Sequence, residues 1–113
     1  VSKSSVTVWL EGQPFALLMK DLPGHAGELD EDACTIRFNA ASIPTAQAMG
    51  EILLHELMHR AYPKHISTAR REEMIVATTA TRLWGMLHGL GLVDDEGLSA
   101  LWRDVKGGAD NDG

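Results

Sequence analysis

One cysteine, Cys34, stands in a chain of 113 residues. No intramolecular disulfide can form, and a four-cysteine zinc knuckle is excluded. Such thrift with cysteine fits a reducing compartment. Aromatic residues are scarce at 5%. No apolar run approaches the roughly 20 residues that a membrane-spanning helix needs. The opening Val1-Ser-Lys-Ser-Ser leads into nothing like the apolar stretch of a signal peptide. The expectation is a cytoplasmic protein with no membrane partner. Positive charge is short too: 10 Lys and Arg against 16 Asp and Glu leave −6 with histidines neutral. That balance argues against a nucleic-acid module held by phosphate contacts.

What remains is an ordinary globular composition, 44% hydrophobic and 23% charged, which speaks against disorder. A chain of this length forms one domain with a modest core. Any functional site must therefore come from a few neighbouring elements. Residues 1–106 read as that domain, and the Gly- and Asp-rich end, 107–113, reads as a flexible acidic tail.

Residues 6–10 (Val-Thr-Val-Trp-Leu) and 15–19 (Phe-Ala-Leu-Leu-Met) suggest two strands of a hairpin around a turn at Gly12. Residues 22–32, with Pro23-Gly24, Gly27 and four acids, read as an exposed loop. Residues 34–39 alternate, with Cys34, Ile36 and Phe38 on one face and Arg37 on the other, as a half-buried strand at an edge would. Thr45 can cap a helix that Pro63 stops near Tyr62. A second helix fits Thr68 to about Leu90, with Ser67 as cap and Met74, Ala77, Ala80, Leu83, Trp84 and Leu87 inside. A third, about 96–105, offers Leu98, Leu101, Trp102 and Val105 to the core. Trp9 and Trp84 also read as core aromatics. The order predicts an α+β fold: a small three-stranded, mostly antiparallel sheet packed on one helix, with two further helices.

The chemistry lies in His55-Glu56-Leu57-Met58-His59, an H-E-x-x-H sequence. Histidines four apart on a helix are offset by about 40° and one turn, so both imidazoles can face one ion. Glu56 stands about 100° round from His55, beside the metal rather than on it. There it can take a proton from water and pass it to a leaving amine. With 5 His and 8 Glu in the chain, random placement yields such a match in about 1% of sequences, so the pattern is informative. Neutral imidazole suits Zn²⁺, and three protein ligands with one open position define a catalytic zinc site.

Three residues compete as third ligand. His65 follows His59 by six, the ligand spacing of metzincin peptidases, although that family has Gly where Tyr62 stands and adds a larger C-terminal half with a methionine turn. Glu72 and Glu73 open the second helix and can deliver a carboxylate from a neighbouring element. Glu73 shares its stripe with Val76, Ala77, Ala80, Trp84 and Leu87, where a buried charge needs a partner. It is the preferred ligand. Glu72, beside Ile75, Thr79 and Arg82, reads as lying on a more mixed surface.

From Met49 to Leu90 the chain resembles the small intracellular zincin peptidases of the ImmA/IrrE type and related short proteins encoded by phages and prophages. There an H-E-x-x-H helix is followed by a helix opening with a ligand Glu; here the residues are His55-Glu56-x-x-His59, then Pro63, then Glu72-Glu73-x-x-Val76. The resemblance implies zinc at His55, His59 and a helix-borne Glu, with Glu56 as general base. It further implies a peptide or protein substrate added as a strand beside the active-site helix, and so nominates residues 34–39 as the substrate edge. Larger relatives carry an Asp four residues after the ligand Glu; here position 77 is Ala.

Glu51, one turn before His55, can accept an imidazole N–H in place of that Asp. Tyr62 and His65 are candidates to stabilise an oxyanion, and His25 has no assignable partner. Two functions follow. One is a zinc-dependent metallopeptidase. The other is a non-proteolytic, zinc-stabilised regulatory or protein-binding module of phage or prophage type, for which Glu56 has no use. Shortness suggests that a homodimer or accessory protein completes the cleft. Arg60, Lys64, Arg70, Arg71 and Arg82 form the one basic cluster that would suit DNA, and the net charge opposes that reading.

Overall fold

A computed structural model describes residues 5–111, with side chains over 6–107. Four strands and three helices follow in the order β1 (Ser5–Leu10), β2 (Gln13–Met19), β3 (Gly27–Asp30), β4 (Thr35–Phe38), α1 (Ala46–Ala61), α2 (Ala69–Gly89) and α3 (Asp95–Asn111). The class is α+β. The sheet is four-stranded and mixed rather than three-stranded, in the order β1-β2-β4-β3.

β1 and β2 form a hairpin whose two-residue turn has both Glu11 (φ 52°) and Gly12 (φ 81°) in the left-handed region. Paired positive φ values give the turn the twist that a hairpin requires. β2 runs parallel to β4, and β3 closes the sheet antiparallel to β4. β4 is thus an interior strand, and the edge falls to β3, inside the segment expected to be a loop. Only Leu29 of β3 is a large apolar residue, so its four residues Gly-Glu-Leu-Asp show no strand-like alternation. They pair because Arg37, opposite Glu28 in the register, forms ion pairs with both Glu28 and Asp30. Asp30 also accepts from the Ala33 N–H at 3.0 Å, fixing the turn into β4. Cys34 ends that turn half-buried at φ 54°, not as a strand residue aligned with Ile36.

Phe15 and Leu17 on β2 and Ile36 and Phe38 on β4 form one buried sheet face, met by Ile43, Met49 of α1 and Val105 of α3. Leu98, Leu101 and Trp102 pack around this cluster as expected, and Trp102 Nε1 donates to the Ile43 carbonyl at 2.9 Å. α3 continues to Asn111, past the expected tail boundary; residues 112 and 113 lie outside the described residues. Trp9, expected inside, is 68% exposed on the edge strand β1.

Thr45 caps α1, its Oγ1 accepting from the Ala48 N–H at 3.1 Å, and the helix ends before Pro63. α2 is capped by Thr68 rather than Ser67, through the Arg71 N–H at 3.2 Å. It packs mainly against α1. The approach is close at Gly50, where a Cβ would stand 2.4 Å from the Trp84 ring. The buried positions of α2 are Glu72, Val76 and Ala80, an i, i+4, i+8 row. The expected stripe is rotated accordingly: Met74 is exposed, as is Ala77. No described helix is long and apolar enough to cross a membrane.

Candidate metal centre

α1 turns Glu51, Ile52, His55, Glu56 and His59 toward one cavity of about 610 Å³. Glu73, Ala80 and Thr81 of α2 form one wall, and residues 24–27, leading into β3, form the other. Helical spacing explains the α1 contribution, since i, i+4 and i+8 share a face.

At its base, His55 Nε2 and His59 Nε2 are 3.2 Å apart. Glu73 completes a triangle, with Oε1 3.1 Å from His55 Nε2 and Oε2 2.7 Å from His59 Nε2. Two donors each 2.0–2.1 Å from a tetrahedral zinc ion are separated by about 3.3 Å. The His55–His59 and His55–Glu73 separations come close to that value and the His59–Glu73 contact is tighter, and these three residues form the metal-competent group among the described residues. Two nitrogens and one oxygen are also the donor set that zinc accepts.

Glu72 and Glu73, about 100° apart on α2, serve opposite sides of one imidazole. Glu72 Oε2 lies 2.7 Å from His59 Nδ1, while Glu73 lies on the Nε2 side. Lys64 Nζ donates to the same Glu72 oxygen at 2.6 Å. The His59 contact and then Lys64 hold the Glu72 carboxyl below its ordinary range. An ionised Glu72 favours the proton on Nδ1 and leaves the Nε2 lone pair turned to the triangle. Contrary to expectation, Glu72 is the buried acid of the pair, and the Glu73 side chain is 58% exposed. Glu73 reaches the triangle from the helix margin.

Glu56 is 8% exposed beside this group. Burial pushes its carboxyl above the ordinary range, only partly countered by the two histidines. β3 presses close here: a Cβ on Gly27 would stand 2.7 Å from Ile52 and 3.6 Å from Glu56 Oε2.

Other expected site residues fall elsewhere. His65 sits exposed in a short 3₁₀ turn, outside the donor group, because Pro63 turns the chain away at the end of α1. Tyr62 is directed to Ser67, with Oη 2.8 Å from Oγ, and does not line the cavity. Glu51 lines the cavity but makes no hydrogen bond to either histidine; Glu72 occupies that role at His59. Arg60 lies over the Phe15 ring and pairs with Glu31 at 2.9 Å, so it is directed at the sheet and not at a ligand surface.

His25, which has no partner assignable from sequence, also lines the cavity. Its loop is clamped by Asn39, whose Nδ2 donates to the Leu22 and His25 carbonyls at 3.0 and 3.2 Å and whose N–H donates to Ala26 at 2.9 Å. A histidine beside Pro-Gly, just upstream of a short acidic strand, was the only signal. Comparison with family models, curated proteins and solved structures finds no match to this chain.

Proposed function

We propose that the chain is a zinc-dependent metallopeptidase of minimal zincin type. The observation that carries this reading is the triangle of His55, His59 and Glu73 at zinc-ligand spacing, with the buried carboxyl of Glu56 beside it. Zinc in such a site supplies Lewis acidity toward a peptide carbonyl and lowers the pKa of water. Glu56 takes up the proton released as water attacks and returns it to the leaving amine. Its raised proton affinity, a consequence of burial, suits both directions of that transfer. Glu72, ionised and backed by Lys64, keeps His59 oriented and in the ligating tautomer.

The substrate edge moves from residues 34–39 to β3, the exposed margin of the sheet nearest α1. An extended peptide can add there through backbone hydrogen bonds. His25, on its clamped loop, offers an imidazole N–H to a substrate carbonyl from the opposite side of the cavity.

The competing reading, a zinc-stabilised binding module without hydrolysis, draws on the fact that the triangle joins α1 to α2 and so would brace the fold. Against it stands Glu56, a buried acid that a purely structural site does not need. Zinc analysis together with cleavage of an unfolded protein, casein, tests the proposal. One equivalent of zinc and zinc-dependent cleavage are expected. A zinc-loaded chain inert alone and in the presence of its own cellular extract would overturn it in favour of the binding module.

A further inference from the structure

Three carboxylates, Glu51, Glu56 and Glu73, line the cavity, and no lysine or arginine does. A divalent cation at the triangle offsets two of these charges, formally those of Glu73 and Glu56. Glu51 is left over. Among the described residues it has neither an ion-pair nor a hydrogen-bond partner. Arg60 pairs with Glu31, Lys64 with Glu72, and Arg37 with Glu28 and Asp30, so these cations are committed elsewhere. Glu51 stands one helical turn, about 6 Å along the axis, from His55. Both line the same cavity, so a long side chain of a peptide held at the triangle can extend toward Glu51.

Resting on the metallopeptidase reading, we propose that Glu51 is a specificity-determining residue and that the site takes an extended peptide with Lys or Arg next to the scissile bond. A half-buried carboxylate facing a cavity favours a cationic side chain and repels an acidic one, and both effects contribute to selection. The approach along the sheet agrees in sign. β3 and the turn after it carry Glu28, Asp30, Glu31 and Asp32, of which Arg37 and Arg60 offset only two charges. Ile52 and the small residues Gly24, Ala26 and Ala80 leave room for an aliphatic stem beneath the charged head.

The test measures binding apart from turnover. Zinc-loaded Glu56→Gln protein is titrated, by fluorescence anisotropy at low ionic strength, into two labelled octapeptides of Ala, Ser and Gly that differ only in a central Lys or Glu. The Lys peptide should bind about fivefold or more tightly, on the scale of an accessible ion pair plus the avoided repulsion. Adding Glu51→Gln should remove the difference, and Glu51→Lys should invert it, with zinc content unchanged. Equal affinities, or a preference that survives Glu51→Gln, would overturn the assignment of Glu51 while leaving the metal reading standing. A chain that binds no zinc would overturn both.

Discussion

His59 Nδ1 lies 2.7 Å from Glu72 Oε2, so in the proposed zinc site the buried acid of α2 supports an imidazole and is not itself a ligand. Loss of such a support weakens metal binding by about 10–100-fold. Glu72→Ala should therefore retain a measurable but weaker zinc site. Glu73→Ala, which removes a corner of the triangle, should cost more. Competition titration with a zinc chelator orders the two, and the reverse order would reassign the ligand.

Glu56→Gln keeps the shape of the side chain and removes its basicity. The variant should fold, hold one zinc equivalent and lose cleavage of casein by about 10²–10⁴-fold. Residual cleavage near the wild-type rate would remove Glu56 from the proton transfer.

Tyr62 spends its hydroxyl on Ser67. Tyr62→Phe should cost stability by about 0.5–1.5 kcal/mol, the worth of one hydrogen bond, and leave hydrolysis within about twofold. A drop in kcat of about tenfold or more at unchanged fold would place the hydroxyl in the reaction.

Gly50 brings α1 and α2 together, because a Cβ there would stand 2.4 Å from the Trp84 ring and 3.0 Å from Leu98. Gly50→Ala should destabilise the fold by about 1–3 kcal/mol through overpacking. Since α2 carries Glu73, it should also loosen zinc. Denaturant unfolding and chelator competition on the same variant check both halves; unchanged zinc affinity would show that the helices adjust independently of the site.

Asp30 is held below the ordinary carboxyl range, first by the Ala33 N–H and then by Arg37. A depressed folded-state value means stability that is present above the unfolded value and lost as pH falls through the folded one. The stability gap between wild type and Asp30→Asn should thus be open near pH 7, narrow as pH falls below the ordinary carboxyl range, and close only once the folded-state carboxyl is itself protonated. A gap independent of pH would trace the loss to turn geometry instead of charge.

The helix that bears the motif was legible because three local signals agree on it: Thr45 as cap, the apolar spacing from Met49 to Leu57, and Pro63 as stop. The core side of α3 was legible for the same reason, its apolar residues recurring every three or four positions. β3 was not. Its strand character comes from Arg37 across the register, seven residues from Asp30 and nine from Glu28 in sequence, and not from its own composition. The jobs of Glu72 and Glu73 were blurred because adjacent residues differ by only about 100° on a helix. A modest error in which stripe of α2 faces α1 exchanges the buried acid for the exposed one. Met74 was misplaced by the same rotation, since an apolar residue on a helix that packs on one side only has no obligation to be inside.

α2 meets the rest of the molecule chiefly through α1; Glu72 bonds His59 directly, and Glu73 is the residue that reaches both histidines at the proposed zinc site. Zinc chelation should accordingly act as a selective solvent for one helix: amide protons of α2 would exchange faster while those of β2, β4 and α1 stayed protected. The chain would then report the free zinc of its surroundings through the order of a single segment, and a protease acting on the released α2 would set its lifetime.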